Sequence, residues 1–262
     1  MSKVKTQNTP VSNLEEAKIL DISLQGCPDR KMPDAILMCE PTYFEVKDVK
    51  NAFMKGNLST VDQKLALDQW LALKSKIEET GLKVSTIQAQ PGLEDMVFTA
   101  NQVLVGITTE GSHFVVPGNM KFESRRKEVP HYIRWFSEAG YEVRILDGAQ
   151  NGVLESGDLN GALDGTPDGV TASAPKGDLD GLPSRALATD NRFFEGHGDA
   201  IWHPEKMLLW GGYGHRTARQ TYDYLTRLIE APVLLLKLVD ETFYHLDTCF
   251  CALDKETVMI YP

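Results

Sequence analysis

Three short stretches of this chain repeat one pattern: Glu79-Thr-Gly-Leu-Lys-Val84, Glu138-Ala-Gly-Tyr-Glu-Val143 and, more weakly, Glu230-Ala-Pro-Val233. A helical pattern precedes each one and an apolar strand pattern follows it, so each reads as a helix-to-strand junction. The order strand, strand, helix, strand recurs around them at about 55 residues, a period that marks units packing against one another. The first two junctions lie 59 residues apart and the next two 92. The excess of 33 falls between about Asn151 and Asp190, where Gly, Asp, Pro, Ser and Ala dominate and no aromatic residue occurs. Such a segment cannot bury enough apolar surface to fold alone, and it reads as an inserted, largely disordered loop. Its aspartates, Asp158, Asp164, Asp168, Asp178 and Asp180, lack the spacing and closing Glu of a calcium loop.

Residues 1 to about 33 are polar and aperiodic, and are expected to form a loose arm or an edge segment, with one domain over 34–262. Ala35 to Cys39 is a short apolar strand stopped by Pro41. A helix capped by Ser59 or Thr60 runs to about Thr80, with Ala66, Trp70, Leu73 and Ile77 on one face and Gly81 as its stop. Strands are expected at Leu82–Ile87, Met96–Phe98, Val103–Val105 and His113–Val116, then a helix from Ser124 to Glu138 with Pro130 in its first turns and a strand at Tyr141–Leu146. Beyond the insertion come strands at Ala200–His203 and Met207–Trp210, and a helix opening near Arg216-Thr217.

The chain has 262 residues, a mass of 29.2 kDa and 42% apolar residues, enough for a sizeable core. A net charge of −10 without any Lys/Arg-rich run argues against nucleic acid and anionic membrane as partners, and favours a small cationic substrate. The longest apolar runs, such as Val233–Leu236, are far too short to cross a bilayer, so a soluble, cytoplasmic protein is expected. Cys27, Cys39, Cys249 and Cys251 show neither a CxxC pair nor a His at zinc spacing, so no disulfide frame, metal or cofactor is implied. A homo-oligomer is compatible with this composition.

Near the end, Tyr244, Leu246, Thr248, Phe250 and Ala252 alternate with His245, Asp247, Cys249 and Cys251. As a strand this places the imidazole and a carboxylate on one face, where one moves a proton and the other grips a cation. The alternative is a core strand whose His and Asp bond only to their neighbours. Four signatures occur in order: Asp95-Met-Val-Phe-Thr-Ala-Asn101, Ser124-Arg-Arg-Lys-Glu128, Phe194-Glu-Gly-His-Gly-Asp199 and Tyr244-His-Leu-Asp-Thr248. With Met38-Cys-Glu-Pro-Thr-Tyr-Phe-Glu-Val46 and Gly214-His-Arg-Thr217, the set resembles the amidinotransferase superfamily of arginine deiminases, dimethylargininases, glycine amidinotransferases and bacterial arginine dihydrolases.

The resemblance covers about 35–146 and 191–262. It implies an α/β fold, a five-bladed propeller of ββαβ modules around a central site, with the last module incomplete, and hydrolysis at the guanidinium group of arginine or a methylated arginine. It implies Glu195 and His245 as catalytic, Asp247 on guanidinium nitrogens, Asp95 and Asn101 on substrate-binding positions, and Arg125 or Arg126 with Arg216 on the substrate carboxylate. Asn101 stands where deiminases and dimethylargininases carry an acid, as in the arginine dihydrolases, which leave ornithine. The family's nucleophilic Cys lies in a Gly-rich segment beyond His-Leu-Asp-Thr, and the sequence stops at Pro262 before one. Cys249 and Cys251 are read as buried structural thiols. The expectation is therefore a hydrolase chain impaired by C-terminal truncation, the alternative a non-catalytic arginine-binding protein.

Overall fold

The computed structural model describes residues 10–146, 152–154 and 192–261. Apart from 152–154, the insertion expected over 151–190, with its aspartates, lies outside the described residues. The elements in chain order are helix α1 (Leu14–Ile19), β1 (Ala35–Cys39), α2 (Gln63–Glu79), β2 (Lys83–Ile87), β3 (Val103–Ile107), β4 (His113–Pro117), α3 (Glu123–Arg126), α4 (Val129–Glu138), β5 (Glu142–Ile145), β6 (Gly152–Leu154), α5 (Gly196–Asp199), β7 (Ala200–Trp202), β8 (Leu209–Tyr213), α6 (Thr221–Leu228), β9 (Val233–Lys237), β10 (Phe250–Ala252) and β11 (Val258–Ile260).

The recurrence is visible in the strand pairing. In β3–β4–α4–β5 the first pair is antiparallel and the helix returns the chain to a parallel third strand; β7–β8–α6–β9 repeats this. On one side β1 and β2 form a parallel pair joined through α2, and on the other β10 and β11 form an antiparallel pair. The two stronger junctions share a physical cause. Gly81 (φ 88°) and Gly140 (φ 84°) both follow a helix in the left-handed region, which closes the last turn and releases the chain into a strand.

The units are not independent bodies. Val103 and Val115 point into a core with Tyr132, Ile133 and Phe136 of α4, while Leu104, Phe114 and Val116 point the other way, into a core with Trp202, Leu209, Tyr222 and Leu225. One sheet thus divides two cores, which explains why its strands are apolar on both faces. Full burial of such side chains contributes about 1.5–3 kcal/mol each. Trp202 Nε1 donates to Val105 O at 2.7 Å, and Arg144 stacks 4.1 Å from the Phe114 ring centroid while donating to Leu228 O, so polar ties cross the same boundary. The described start of the arm follows the third sheet's edge: Val11, 2% exposed, pairs with Leu234, and Asp29 pairs with Lys206.

Several expectations need correction. Met96–Phe98 is not a strand: Glu94–Val97 is a 3-10 turn, held by Phe98 N–H donating to Asp95 O and by Tyr132 OH donating to Met96 O at 2.6 Å. Helix α2 is capped by Asp62, which accepts Leu65 N–H at 2.9 Å, and Leu73, expected on its buried face, is 55% exposed, while Trp70 is the residue that the helix buries. The single helix expected over 124–138 is two helices, α3 and α4. The helix expected at Arg216-Thr217 opens at Thr221, and the strand expected at Met207–Trp210 starts at Leu209. The strand expected through Tyr244–Ala252 survives only as β10: His245 is extended, and Leu246–Thr248 is a 3-10 turn. Among the described residues no helix is long and apolar enough to cross a membrane.

Candidate active site

His245 is the centre of the site. Its ring is held from both sides: Nδ1 lies 3.1 Å from Asp199 Oδ2 and Nε2 lies 3.2 Å from Glu195 Oε2, and both carboxylates are fully buried. Asp199 is itself fixed, because Oδ1 accepts Leu246 N–H at 3.0 Å and Oδ2 accepts the Thr217 hydroxyl at 2.7 Å. The Leu246 bond is also what bends the chain into a turn after His245. Glu195 accepts Lys121 N–H at 3.2 Å and the Arg216 guanidinium at 3.1 Å. Of the two glycines between the acids, Gly198 faces the site and is required sterically: a Cβ on it would stand 2.3 Å from Asn101 Nδ2 and 3.2 Å from His245 Nδ1. Asp199 carried no assigned role in the sequence reading. Its position four residues after Glu195 in the same signature was the available signal.

These groups stand at a cleft of about 340 Å³ whose lining includes Asp95, Asn101, Arg125, Arg216, His245 and Asp247. Asn101 turns its oxygen to Arg125 Nη1 at 3.2 Å and its nitrogen to His245 Nε2 at 3.3 Å. Arg125 is buried and reaches Glu128 at 3.4 Å; Arg216 lies over the Phe122 and Tyr244 rings at 4.6 and 4.9 Å. Arg126 does not line the cleft, and its guanidinium donates to Lys121 O at the surface. Of the two arginines left open by the sequence, the cleft contains Arg125. Asp247 reaches the cleft from the 3-10 turn at its exposed rim. No cysteine lines the cleft: Cys249 is half-buried with its thiol 3.6 Å from Leu246 O, while Cys251, expected to be buried, is exposed because β11 covers only one edge of β10.

Burial alone would push Glu195 up, but His245, Arg216 and Arg125 overcome it and hold the carboxyl down at about 2. For His245 burial pulls the pKa down, while the hydrogen bonds to Asp199 and Glu195 win and raise it to about 9. The imidazole is therefore a cation at neutral pH, a proton donor in waiting. Asp247 is solvent-reachable at the rim, but the cleft walls packed around its carboxyl desolvate it and raise it to about 6, with His245 opposing and Asp199 adding to the rise. The linkage has a definite sign. The stability that His245 contributes is fully present below its unfolded pKa of about 6.5 and is lost as pH rises through about 9; that of Glu195 is present above about 4.5 and is lost as pH falls through about 2. The expected NMR titration midpoint of the His245 ring is thus near 9, and a midpoint at or below 6.5 would show that the two carboxylates do not hold a charged imidazole.

A buried imidazole held between two carboxylates beside guanidinium-bearing walls is a candidate site for moving protons on a small polar ligand. Comparison narrows the class. The model of the eukaryotic N,N dimethylarginine dimethylhydrolase family matches residues 40–166. The bifunctional arginine dihydrolase/ornithine cyclodeaminase ArgZ of Synechocystis sp. is 33% identical over 227 residues, 87% of this chain and 25% of that protein. The N(G),N(G)-dimethylarginine dimethylaminohydrolase of Mycobacterium tuberculosis is 27% identical over 239 residues, 90% of this chain and 62% of that one. The crystal structure of the N-terminal domain of ArgZ with its product superimposes with a TM-score of 0.65 at 31% identity, over 88% of this chain and 67% of that domain. The chain therefore spans about a quarter of the length of the bifunctional protein. It belongs to the superfamily of amidinotransferases, dimethylargininases and arginine dihydrolases.

Proposed function

We propose that this chain binds arginine or a methylated arginine in the cleft and supplies the proton-shuttling part of a guanidine hydrolase of the arginine dihydrolase or dimethylargininase type. The observation that carries the reading is His245 fixed between Glu195 and Asp199 beside Asp247, Arg125 and Arg216. Asp247 has two acceptor oxygens for a planar guanidinium, Asp95 and Asn101 add further polar contacts, and Arg125 and Arg216 are suited to a carboxylate. In this chemistry a thiolate attacks the guanidinium carbon, and His245 protonates the departing nitrogen. The same imidazole then takes a proton from the water that releases the product. Asn101, whose amide nitrogen lies 3.3 Å from His245 Nε2, supports the dihydrolase type by resemblance, because deiminases and dimethylargininases carry an acid at this position. The two complete units and the hairpin β10–β11 support a five-bladed α/β-propeller. The unpaired thiols accord with a cytoplasmic setting.

A second reading, binding without turnover, rests on the cleft containing none of the four cysteines. Acid–base help alone typically gives only about 10² to 10⁴-fold. The chain of 262 residues is expected to bind arginine in calorimetry while releasing no ornithine, citrulline or ammonia. Robust turnover that disappears in Cys249→Ser would overturn the assignment of that thiol as structural.

A further inference from the structure

Lys50 lies in none of the sequence signatures, yet its side chain is only 3% exposed and it lines the cleft. Its Nζ stands 2.9 Å from Asp95 Oδ2 and 3.3 Å from Glu94 Oε1, and also pairs with Asp48. Burial pulls its pKa down, but Asp48 and Asp95 more than offset this and keep the ammonium charged. Its own carbonyl accepts Arg216 Nη2 at 2.8 Å, which fixes the residue from the opposite wall.

Asp95, 2% exposed, has its other oxygen, Oδ1, buried with no hydrogen-bond partner among the described residues. Arg125 Nε is buried, makes no hydrogen bond among the described residues, and has only a long ion-pair contact of 3.9 Å to Oδ2. Unpaired buried groups of this kind are strongly unfavourable, so an acceptor and a donor side by side in a cleft wall point to a ligand that brings their partners. We propose that Lys50 is a specificity-determining residue: by occupying Oδ2 it makes Asp95 a one-oxygen acceptor, which admits a single N–H donor such as an ammonium and refuses the two-pronged grip of a guanidinium. For a ligand carrying both cations, Lys50 thereby excludes binding with the guanidinium at Asp95. This extends the reading of the cleft given above and rests on it for the identity of that ligand.

The test uses methylammonium and methylguanidine as probes, with calorimetry on the full chain and on variants whose fold is checked by circular dichroism. In the wild type, Asp95→Asn weakens methylammonium more than methylguanidine; the reverse order overturns the proposal without any change at Lys50. Lys50→Met and Lys50→Ala free the second oxygen, and methylguanidine then gains about ten- to a hundredfold over methylammonium, the size of one added charge-assisted bond. Lys50→Arg and Lys50→Gln keep a donor on Oδ2 and show no such gain. The gain vanishes when Asp95→Asn is combined with Lys50→Met. Equal changes for both probes, or a gain that survives Asp95→Asn, would make Lys50 only a fastener of its loop. Failure of the wild type to bind arginine, with the methylguanidine gain intact, removes the arginine reading and leaves this one standing.

Discussion

Asp199→Ala is expected to lower the free energy of unfolding by about 3–5 kcal/mol, the usual size for stripping one partner from a buried charged pair. Three donors converge on this carboxylate: the His245 ring, Leu246 N–H and the Thr217 hydroxyl. Removing it leaves the Nδ1 side of the His245 ring, Leu246 N–H and the Thr217 hydroxyl proton buried without an acceptor, and removes the larger of the two hydrogen bonds that raise the His245 pKa. Asp199→Asn keeps the shape and one acceptor oxygen, so its loss should be smaller. Urea unfolding measures both, and the His245 titration midpoint should fall in each. A loss below about 1 kcal/mol for the alanine variant, the scale of an ordinary neutral hydrogen bond, would mean that Asp199 does not anchor the relay.

Asp247→Asn is expected to weaken arginine binding by about ten- to more than a hundredfold, and more than His245→Ala does. The carboxylate has two oxygens for an always-charged planar cation, whereas His245 is itself a cation at neutral pH and repels a guanidinium until it gives up its proton. Binding by the parent chain should fall as pH drops through about 6, where Asp247 protonates, and the asparagine variant should lack that step. Calorimetry between pH 5 and 8 checks both. An equal or larger loss for His245→Ala would remove Asp247 as the guanidinium contact.

Where the sequence is legible, the reason is local. Ala35–Cys39 is a strand at the residues expected because an apolar run meets a proline, and α2 and α4 end where Gly81 and Gly140 allow a left-handed turn. The α/β class and the family follow from the order of the signatures, and His245, Asn101, Arg125 and Asp95 line one cleft with Glu195 buried behind His245. Where it misleads, a distant partner decides. Met96-Val-Phe98 has the composition of a strand, but the Tyr132 hydroxyl captures Met96 O and bends the segment into a turn. The alternation through Tyr244–Ala252 fails for the same reason, since Asp199 takes the Leu246 amide that a strand would have used. Lys50 was invisible because an isolated lysine in a polar stretch gives no sign of three acids around it.

The sheet that divides two cores has a consequence for how such a chain can change. Although the units read as interchangeable cassettes, alternate residues of β3 and β4 answer to different neighbours: Val103 and Val115 to one side, Leu104 and Phe114 to the other. A whole unit swapped in from another protein would have to match two foreign interiors at once, whereas a segment added between units has to match none. Descent by duplication is compatible with this architecture, whereas exchange of a single unit would disturb two cores at once.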